Sequence, residues 1–269
     1  MTALPVLFVS HGAPTFVLEP GRAGATLTAL GRSLPKPAAI LVVSAHWETD
    51  RPTVSGATQP DTIHDFYGFP PALYQMRYPA PGAPALATRV QAALAAAGIE
   101  AEIDPQRGLD HGAWVPLTLI WPDADIPVTQ LSVQPDAGAA HHYAVGQALA
   151  ALAEAGVMIV ASGSVTHNLR EFRMQPEDAG VEPYGTEFRD WLRARIEAHD
   201  DAAVIAYREQ APHAVRAHPT EEHFLPLHVA LGAAADGATH RRIHDGVTFG
   251  VIGMDAYLLA AERLPAVAG

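Results

Sequence analysis

The stretch LPVLFVSHGAP, residues 4–14, ends a buried apolar run on Ser10, His11 and Gly12. The same pattern returns in ILVVSAHWE, residues 40–48, which reaches His46, and in VMIVASGSVTHN, residues 157–168, which reaches His167. Continuous apolar runs of this length are typical of parallel strands buried on both faces. The three runs therefore predict a parallel sheet whose strands end on histidines.

Alternation of such runs with Ala- and Leu-rich stretches of helical spacing predicts an α/β fold. We expect one domain over residues 1–269, with a central, mostly parallel sheet flanked by helices. The predicted strands lie near residues 5–9, 39–44, 127–132, 157–161 and 248–253. The predicted helices lie near residues 22–33, 84–97, 138–154, 184–198 and 221–232.

Composition excludes several classes of protein and of site. The chain of 269 residues has no cysteine, so disulfides, thiol nucleophiles and zinc ribbons are excluded, and any metal must bind nitrogen and oxygen ligands. A formal charge of −12 argues against a nucleic-acid partner. The first strand begins almost at residue 1, and no apolar stretch approaches about 20 residues, so we expect neither a signal peptide nor a membrane span. A cytoplasmic protein is expected, and its oligomeric state stays open.

Side chains that follow buried parallel strands converge at one edge of the sheet, where α/β proteins bind ligands. A single histidine there is more often a hydrogen-bonded loop residue, but three favour a site, and neutral imidazole is the commonest metal ligand. The sequence therefore predicts that His11, His46 and His167 converge on one binding site at the carboxyl ends of the strands, with a metal as one candidate ligand. We expect the following histidines to face solvent: His141, His142, His199, His213, His240 and His244.

Three other segments bear on the site. Residues 62–84 are rich in Phe, Tyr and Pro without periodicity, and we interpret them as an ordered loop of the kind that covers a binding site. In RGLDHGAWVPL, residues 107–117, His111 precedes an apolar helical turn, and the alternative to a functional role is a helix-end residue held by Asp110.

The third segment is HPTEEHFLPLHVALGAA, residues 218–234. We expect Thr220 to cap a helix with His223 in its first turn, and the small residues of ALGAA to pack against the sheet. His228 lies about 140° further round that helix, which argues against both His223 and His228 binding one metal. We interpret Glu221 and Glu222 as first-turn charges that suit the helix dipole.

Taken in order, the motifs SHGAPT, SAHWE, HDFYGFP, LDHGAWVPL, SGSVTHNLRE and HPTEEHFLPLHVALGAA resemble the class III (LigB-type) extradiol ring-cleavage dioxygenases over nearly the whole chain. They are most similar to the 4,5-DOPA dioxygenase-like branch of that family. The resemblance implies a catechol substrate, O₂ and one divalent metal, with Fe(II) expected for activity. It implies His11, His46 and His223 as the metal ligands.

At the third ligand position the broader family uses glutamate, whereas this branch has histidine. Three imidazoles suit Zn(II) as well as Fe(II), so the identity of the metal stays open. The resemblance implies His167 as the catalytic base and His111 as the histidine beside bound oxygen. His167 is also a candidate fourth ligand. No Arg or Lys can be assigned to a carboxylate on the substrate, so the catechol itself is not identified.

Two alternatives remain from the residues alone. A zinc-dependent hydrolase would use the same ligands with His167 or Glu48 as its acid or base. A non-catalytic protein that binds a metal or a small molecule would bind without turnover. Oxygen consumption with a catechol under Fe(II) distinguishes both from a dioxygenase.

Overall fold

Long apolar runs form the centre of an eight-stranded sheet in the structure, a computed structural model that describes residues 3–174 and 180–260. The strands in these ranges are β1 (Val6–Ser10), β2 (Ala39–Glu48), β3 (Thr53–Ser55), β4 (Glu102–Asp104), β5 (Val128–Val133), β6 (Val157–Gly163), β7 (Thr239–His244), β8 (Val247–Thr248), β9 (Ile252–Gly253) and β10 (Ala256–Ala260). The sheet has the order β4-β3-β5-β2-β6-β1-β10-β7.

The four strands in the middle of this sheet, β5, β2, β6 and β1, are parallel. Among the described strands of this sheet, antiparallel pairing occurs only towards the two edges, where β3 pairs with β5, and β10 pairs with β1 and β7. The α/β fold with a mostly parallel central sheet is therefore confirmed. The extent of one domain over 1–269 stays a prediction, and residues 1–2 and 261–269 lie outside the described ranges.

Helices cover the sheet. In the described ranges they are α1 (Gly21–Ser33), α2 (Pro71–Gln75), α3 (Pro84–Ala96), α4 (His111–Ile120), α5 (Gly138–Glu154), α6 (Pro183–Glu197), α7 (Asp201–Ile205), α8 (Tyr207–Gln210), α9 (Ala214–Ala217) and α10 (Leu225–Ala233). Helix α4 packs on β2 and β6 and contacts α1, while α10 packs on β6, β1 and β2 and contacts α5. None of the helices in the described part of the chain has the length and apolar character needed to cross a membrane.

The predicted strand at 248–253 is wrong. This stretch forms two strands of two residues each, β8 and β9, which pair antiparallel with each other outside the main sheet. The chain turns between them because Phe249 and Gly250 have positive φ values of 53° and 73°, a region that breaks an extended strand. The last strand of the sheet is β10, a few residues later.

The predicted start of the last long helix is also wrong. Helix α10 begins at Leu225 with Pro226 in its first turn, a position that proline favours because it needs no N–H donor. Thr220 therefore does not cap the helix, and its hydroxyl instead donates to Glu222 Oε1 at 3.0 Å. Glu221, Glu222 and His223 all lie before the helix, so the interpretation of the two glutamates as first-turn charges and the placement of His223 in that turn are both wrong.

The small residues of α10 approach another helix closely, rather than only the sheet. A Cβ placed on Gly232 would lie 2.1 Å from the Tyr143 carbonyl oxygen of α5, and one on Gly146 would lie 2.2 Å from the Val229 oxygen of α10. The two backbones can approach this closely only because both positions lack side chains. This contact holds α10, and the loop before it, against the rest of the molecule.

We expect Gly232→Ala to lower the free energy of unfolding by roughly 1–3 kcal/mol, because the added methyl must push two helices apart. The measurement is chemical denaturation of the purified protein. Gly185→Ala is the matched control, since it is also helical and its Cβ would meet only Val181 Cγ1, at 3.8 Å. The control should be neutral or more stable by up to about 1 kcal/mol. Equal losses in both variants would contradict the packing argument.

Several histidines outside the site are not where the sequence suggested. His142, His240 and His244 are buried, so their prediction as solvent-facing residues is wrong, whereas His199 and His213 are exposed as expected. His141 is half-buried. His142 lies buried because its ring bridges two backbone groups, the Gln134 N–H at 3.1 Å and the Gly138 carbonyl at 2.7 Å. The pair of His240 and His244 belongs to β7, an edge strand that α6 and α1 cover.

Candidate metal and active site

The order of the central strands brings two of the predicted histidines together. Strand β6 lies between β1 and β2, so the carboxyl ends of all three strands are adjacent. His11 directly follows β1, and its backbone N–H donates to the Gly163 carbonyl oxygen at 3.1 Å. His46 lies within β2, which runs on to Glu48 rather than ending at Ser44. The pairing of β2 with β5 is irregular between Val43 and Glu48, at the level of His46.

A third histidine reaches the same place from the loop before α10. The carbonyl oxygen of His223 accepts a hydrogen bond from the Ser164 N–H at 2.8 Å. A Cβ on Gly163 would lie 2.1 Å from that oxygen, so the close approach of the loop requires glycine at the end of β6. The SGS sequence at the end of β6 thus positions a residue that lies about sixty positions further along the chain.

The Nε2 atoms of His11, His46 and His223 form a compact cluster. The His46 nitrogen lies 2.9 Å from that of His11 and 3.2 Å from that of His223. The available ligand atoms of the three residues all lie within 4.8 Å of one another. A metal with nitrogen ligands at about 2.1 Å places two ligands at right angles about 3.0 Å apart. The cluster therefore has the spacing of three imidazoles on one metal ion.

Burial keeps these three rings neutral. Removal from water lowers the pKa of each ring well below its usual value, and the neighbouring histidines lower it further. Each ring therefore has an unprotonated nitrogen near pH 7, which is the form that binds a metal. The buried histidines fit a divalent metal by charge state as well as by spacing. Three nitrogen donors suit both Zn(II) and Fe(II).

His167 lies against one member of this cluster. Its ring stacks on that of His223 with centroids 3.5 Å apart and an angle of 12° between the planes. Its backbone N–H donates to the Ala217 carbonyl oxygen at 2.8 Å. Burial, and secondarily the nearby His111, lower the pKa of His167 to about 4. The ring is therefore neutral near pH 7 and able to accept a proton.

His111 lies beside a different member of the cluster. It is the first residue of α4, and its ring centroid is 3.9 Å from that of His46 and 5.4 Å from that of His11. The expected alternative partner, Asp110, caps the helix through the Ala113 N–H at 3.2 Å and does not hold the His111 ring. The structure therefore brings together all five histidines that the sequence singled out.

The residue that does hold His111 is Asp65, which no pattern in the sequence singled out. Its two carboxylate oxygens accept hydrogen bonds from the His111 backbone N–H and from the ring Nδ1, each at 2.9 Å. Burial would raise the pKa of Asp65, but the hydrogen bonds and charge of His111 outweigh this and lower it to about 2. In the neutral form of His111, donation from Nδ1 to Asp65 leaves the lone pair on Nε2.

Asp65 belongs to the aromatic segment at 62–84, which is ordered and includes α2. The Phe66 ring lies 5.7 Å from the His111 ring, edge to face, and 6.4 Å from the Trp114 ring. This segment thus contacts the site, as expected of a covering loop. Its Tyr67 side chain, in contrast, is 92% exposed.

Glu48 and Arg107, two further charged residues near the site, have different surroundings. Glu48 lies at the end of β2, and burial, with the charges of Glu222 and Asp136, raises its pKa. Arg107 lies 3.4 Å from the His46 carbonyl oxygen, but it pairs with the buried Asp110 at 3.1 Å. Arg107 is therefore already neutralised by a carboxylate of the protein itself.

Comparison with known proteins identifies the family to which the chain is similar. The family model described as the catalytic LigB subunit of aromatic ring-opening dioxygenase matches residues 7–258. A protein of Beta vulgaris named 4,5-DOPA dioxygenase extradiol is 45% identical over 93% of this chain and 94% of its own length. The protein of the same name from Escherichia coli strain K12 is 43% identical over 86% of each chain. A crystal structure of an uncharacterized protein from Escherichia coli K12 is 33% identical, covers 96% of this chain and 100% of its own, and superposes with a TM-score of 0.80.

Proposed function

This chain belongs to the LigB family of aromatic ring-opening dioxygenases and is an extradiol dioxygenase, and from that premise we propose that it cleaves a small catechol at a divalent metal held by His11, His46 and His223. We propose Fe(II) as the active metal. The observation that carries the proposal is the cluster of three neutral imidazole rings, two at the ends of parallel strands and one in the loop before α10.

When bound, such a metal would be chelated by the two vicinal hydroxyls of a catechol, would lower their pKa and would offer an open position for O₂. The protein residues would supply the proton transfers. His167 is neutral and lies directly against His223, so it is suited to accept a proton from a substrate hydroxyl. His111 lies beside His46 in a tautomer selected by Asp65, so it is suited to exchange a proton at a second position.

Relatives named for DOPA support a catechol substrate with a side chain. Asp65 and Phe66 place the aromatic segment at His111, where a planar substrate ring would meet it. We propose that this segment excludes water from the bound catechol. Arg107 is not assigned to a carboxylate on the substrate, because it already pairs with Asp110.

The test is anaerobic reconstitution of the metal-free protein with Fe(II) or with Zn(II), followed by addition of a catechol and of O₂. We expect the Fe(II) protein to consume one O₂ per catechol and to form a yellow ring-opened product, while the Zn(II) protein does neither. The matched substrate control is the 1,3-diol isomer, which cannot chelate through adjacent hydroxyls. Binding of catechols without oxygen uptake in the Fe(II) protein would instead support a non-catalytic role, and hydrolysis by the Zn(II) protein would support the hydrolase.

His111→Phe should leave anaerobic catechol binding within a few-fold of the wild type and lower turnover by about 10²–10⁴-fold, because it preserves bulk but removes the proton-exchanging ring. Asp65→Asn should act in the same direction, because an amide NH₂ next to Nδ1 favours the wrong tautomer. Thermal stability, catechol affinity and turnover are measured for both variants. Turnover that survives within a few-fold in His111→Phe would exclude His111 from the chemistry, and weakening of every step together would indicate a structural role.

A further inference from the structure

Glu222 is the immediate neighbour of His223 and bonds to its ring. The carboxylate Oε1 lies 2.9 Å from His223 Nδ1 and 3.0 Å from the Thr220 hydroxyl, which donates to it. Because the His223 ring is neutral, its single proton lies on Nδ1 when that atom donates to the carboxylate. The lone pair is then on Nε2, the atom that faces His46 at 3.2 Å.

The other two histidines of the cluster have different partners on Nδ1. His11 Nδ1 lies 3.0 Å from the Ser162 hydroxyl, and that hydroxyl donates its own proton to the Gly112 carbonyl, so it accepts from His11. His46 Nδ1 lies 3.7 Å from Asp65, too far for a hydrogen bond, and the same oxygen of Asp65 is bonded to His111. Among these three histidines, only His223 donates to a carboxylate.

We propose that Glu222 is a positioning residue that selects the metal-binding tautomer of His223 and makes that ring the most electron-rich of the three ligands. This inference rests on the metal site of the proposed function. A carboxylate that accepts the Nδ1 proton raises the basicity of Nε2 and strengthens its bond to a metal. It also places a negative charge next to a site whose three ligands are all neutral, where a buried dication would otherwise be uncompensated.

The neighbouring Glu221 provides a control within the same turn. Its Oε2 accepts a hydrogen bond from the Tyr207 hydroxyl at 2.8 Å and lies 3.5 Å from Arg208 Nε. Its carboxylate is thus directed to Tyr207 and Arg208 instead of to the histidine cluster. Two adjacent glutamates therefore differ in their contact with a candidate ligand, which separates the role of Glu222 from the general effect of charge in this loop.

The experiment compares Glu222→Gln, Glu222→Asp and Glu221→Gln with the wild type. Zn(II) affinity of the metal-free proteins is measured by competition with a chromophoric chelator, and the Fe(III)/Fe(II) midpoint potential is measured under anaerobic conditions. We expect Glu222→Gln to weaken Zn(II) binding by about 10- to 100-fold and to raise the midpoint potential, because the loss of a negative charge favours the reduced ion. Glu222→Asp should recover part of both properties, and Glu221→Gln should match the wild type.

Thermal unfolding of the metal-free variants separates positioning from folding, since the proposal expects similar melting temperatures. Wild-type affinity and potential in Glu222→Gln would overturn the role of Glu222 while leaving the metal site intact. Equal weakening by Glu221→Gln would also overturn it. A wild-type protein that binds neither Zn(II) nor Fe(II) would overturn the proposed metal site itself, and this inference with it.

Discussion

Replacing His46 with alanine should remove metal binding and ring cleavage together. His46 is the central member of the cluster, because its Nε2 lies close to those of both His11 and His223. Loss of a residue that hydrogen-bonds to a metal ligand lowers metal affinity by about 10- to 100-fold. Loss of the ligand itself should therefore lower metal affinity by more than about 100-fold. The measurements are metal content after reconstitution and oxygen uptake with a catechol.

His46 is the best of the three positions for this test because its side chain is 24% exposed, whereas that of His223 is 6% exposed. Truncation at His46 should therefore disturb folding least. The matched control is His213→Ala, which removes an exposed histidine whose ring bonds to Glu187, on helix α6. Full metal occupancy in His46→Ala would sink the ligand assignment, and His11→Ala and His223→Ala should then be tested for the same result.

His167→Ala should keep the metal and lose turnover by about 10²–10⁴-fold, the range usual for removal of a general base. The reason is its position: the His167 ring stacks face to face on His223, and burial keeps it neutral and ready to accept a proton. Metal content and single-turnover rates are measured on the same preparation.

The alternative role of His167, as a fourth ligand, predicts a different result. The nitrogens of His167 and His223 lie close to each other and to Glu222, so a second arrangement of ligands is geometrically open. In that case His167→Ala would lose metal affinity in parallel with turnover. His167→Gln separates the two effects further, because an amide of similar size offers no basic nitrogen. Retained metal with lost turnover in both variants supports the base.

The central part of the fold was predictable because buried parallel strands have an unmistakable apolar pattern. The runs at 5–9, 39–44, 127–132 and 157–161 each correspond to a strand of the sheet. The edges were not predictable. Strand β7, THRRIH, is polar, and β3 and β4 have three residues each, so their pairing depends on neighbours rather than on a local pattern.

Loop and helix boundaries failed for a related reason. Thr220 has the chemistry of a helix cap, yet the helix begins five residues later, because Pro226 takes its first turn and the Thr220 hydroxyl bonds to Glu222. The buried histidines of β7 were assigned to solvent because their local surroundings are polar. Helices α1 and α6, which cover that strand, come from distant parts of the chain.

The sequence by itself determined the residue types of the candidate site and the strand ends on which two of them lie. Its motifs also implied the ligand set and the two flanking histidines. Only the tertiary structure decided which residues contact these histidines. Asp65 bonds to His111, 46 positions away, and His223 lies beside His46, 177 positions away. Hydrogen bonds of this kind depend on the relative placement of whole strands and loops. That placement is set by packing of the entire core, so the sequence around either hydrogen-bonding residue contains no pattern that predicts the contact.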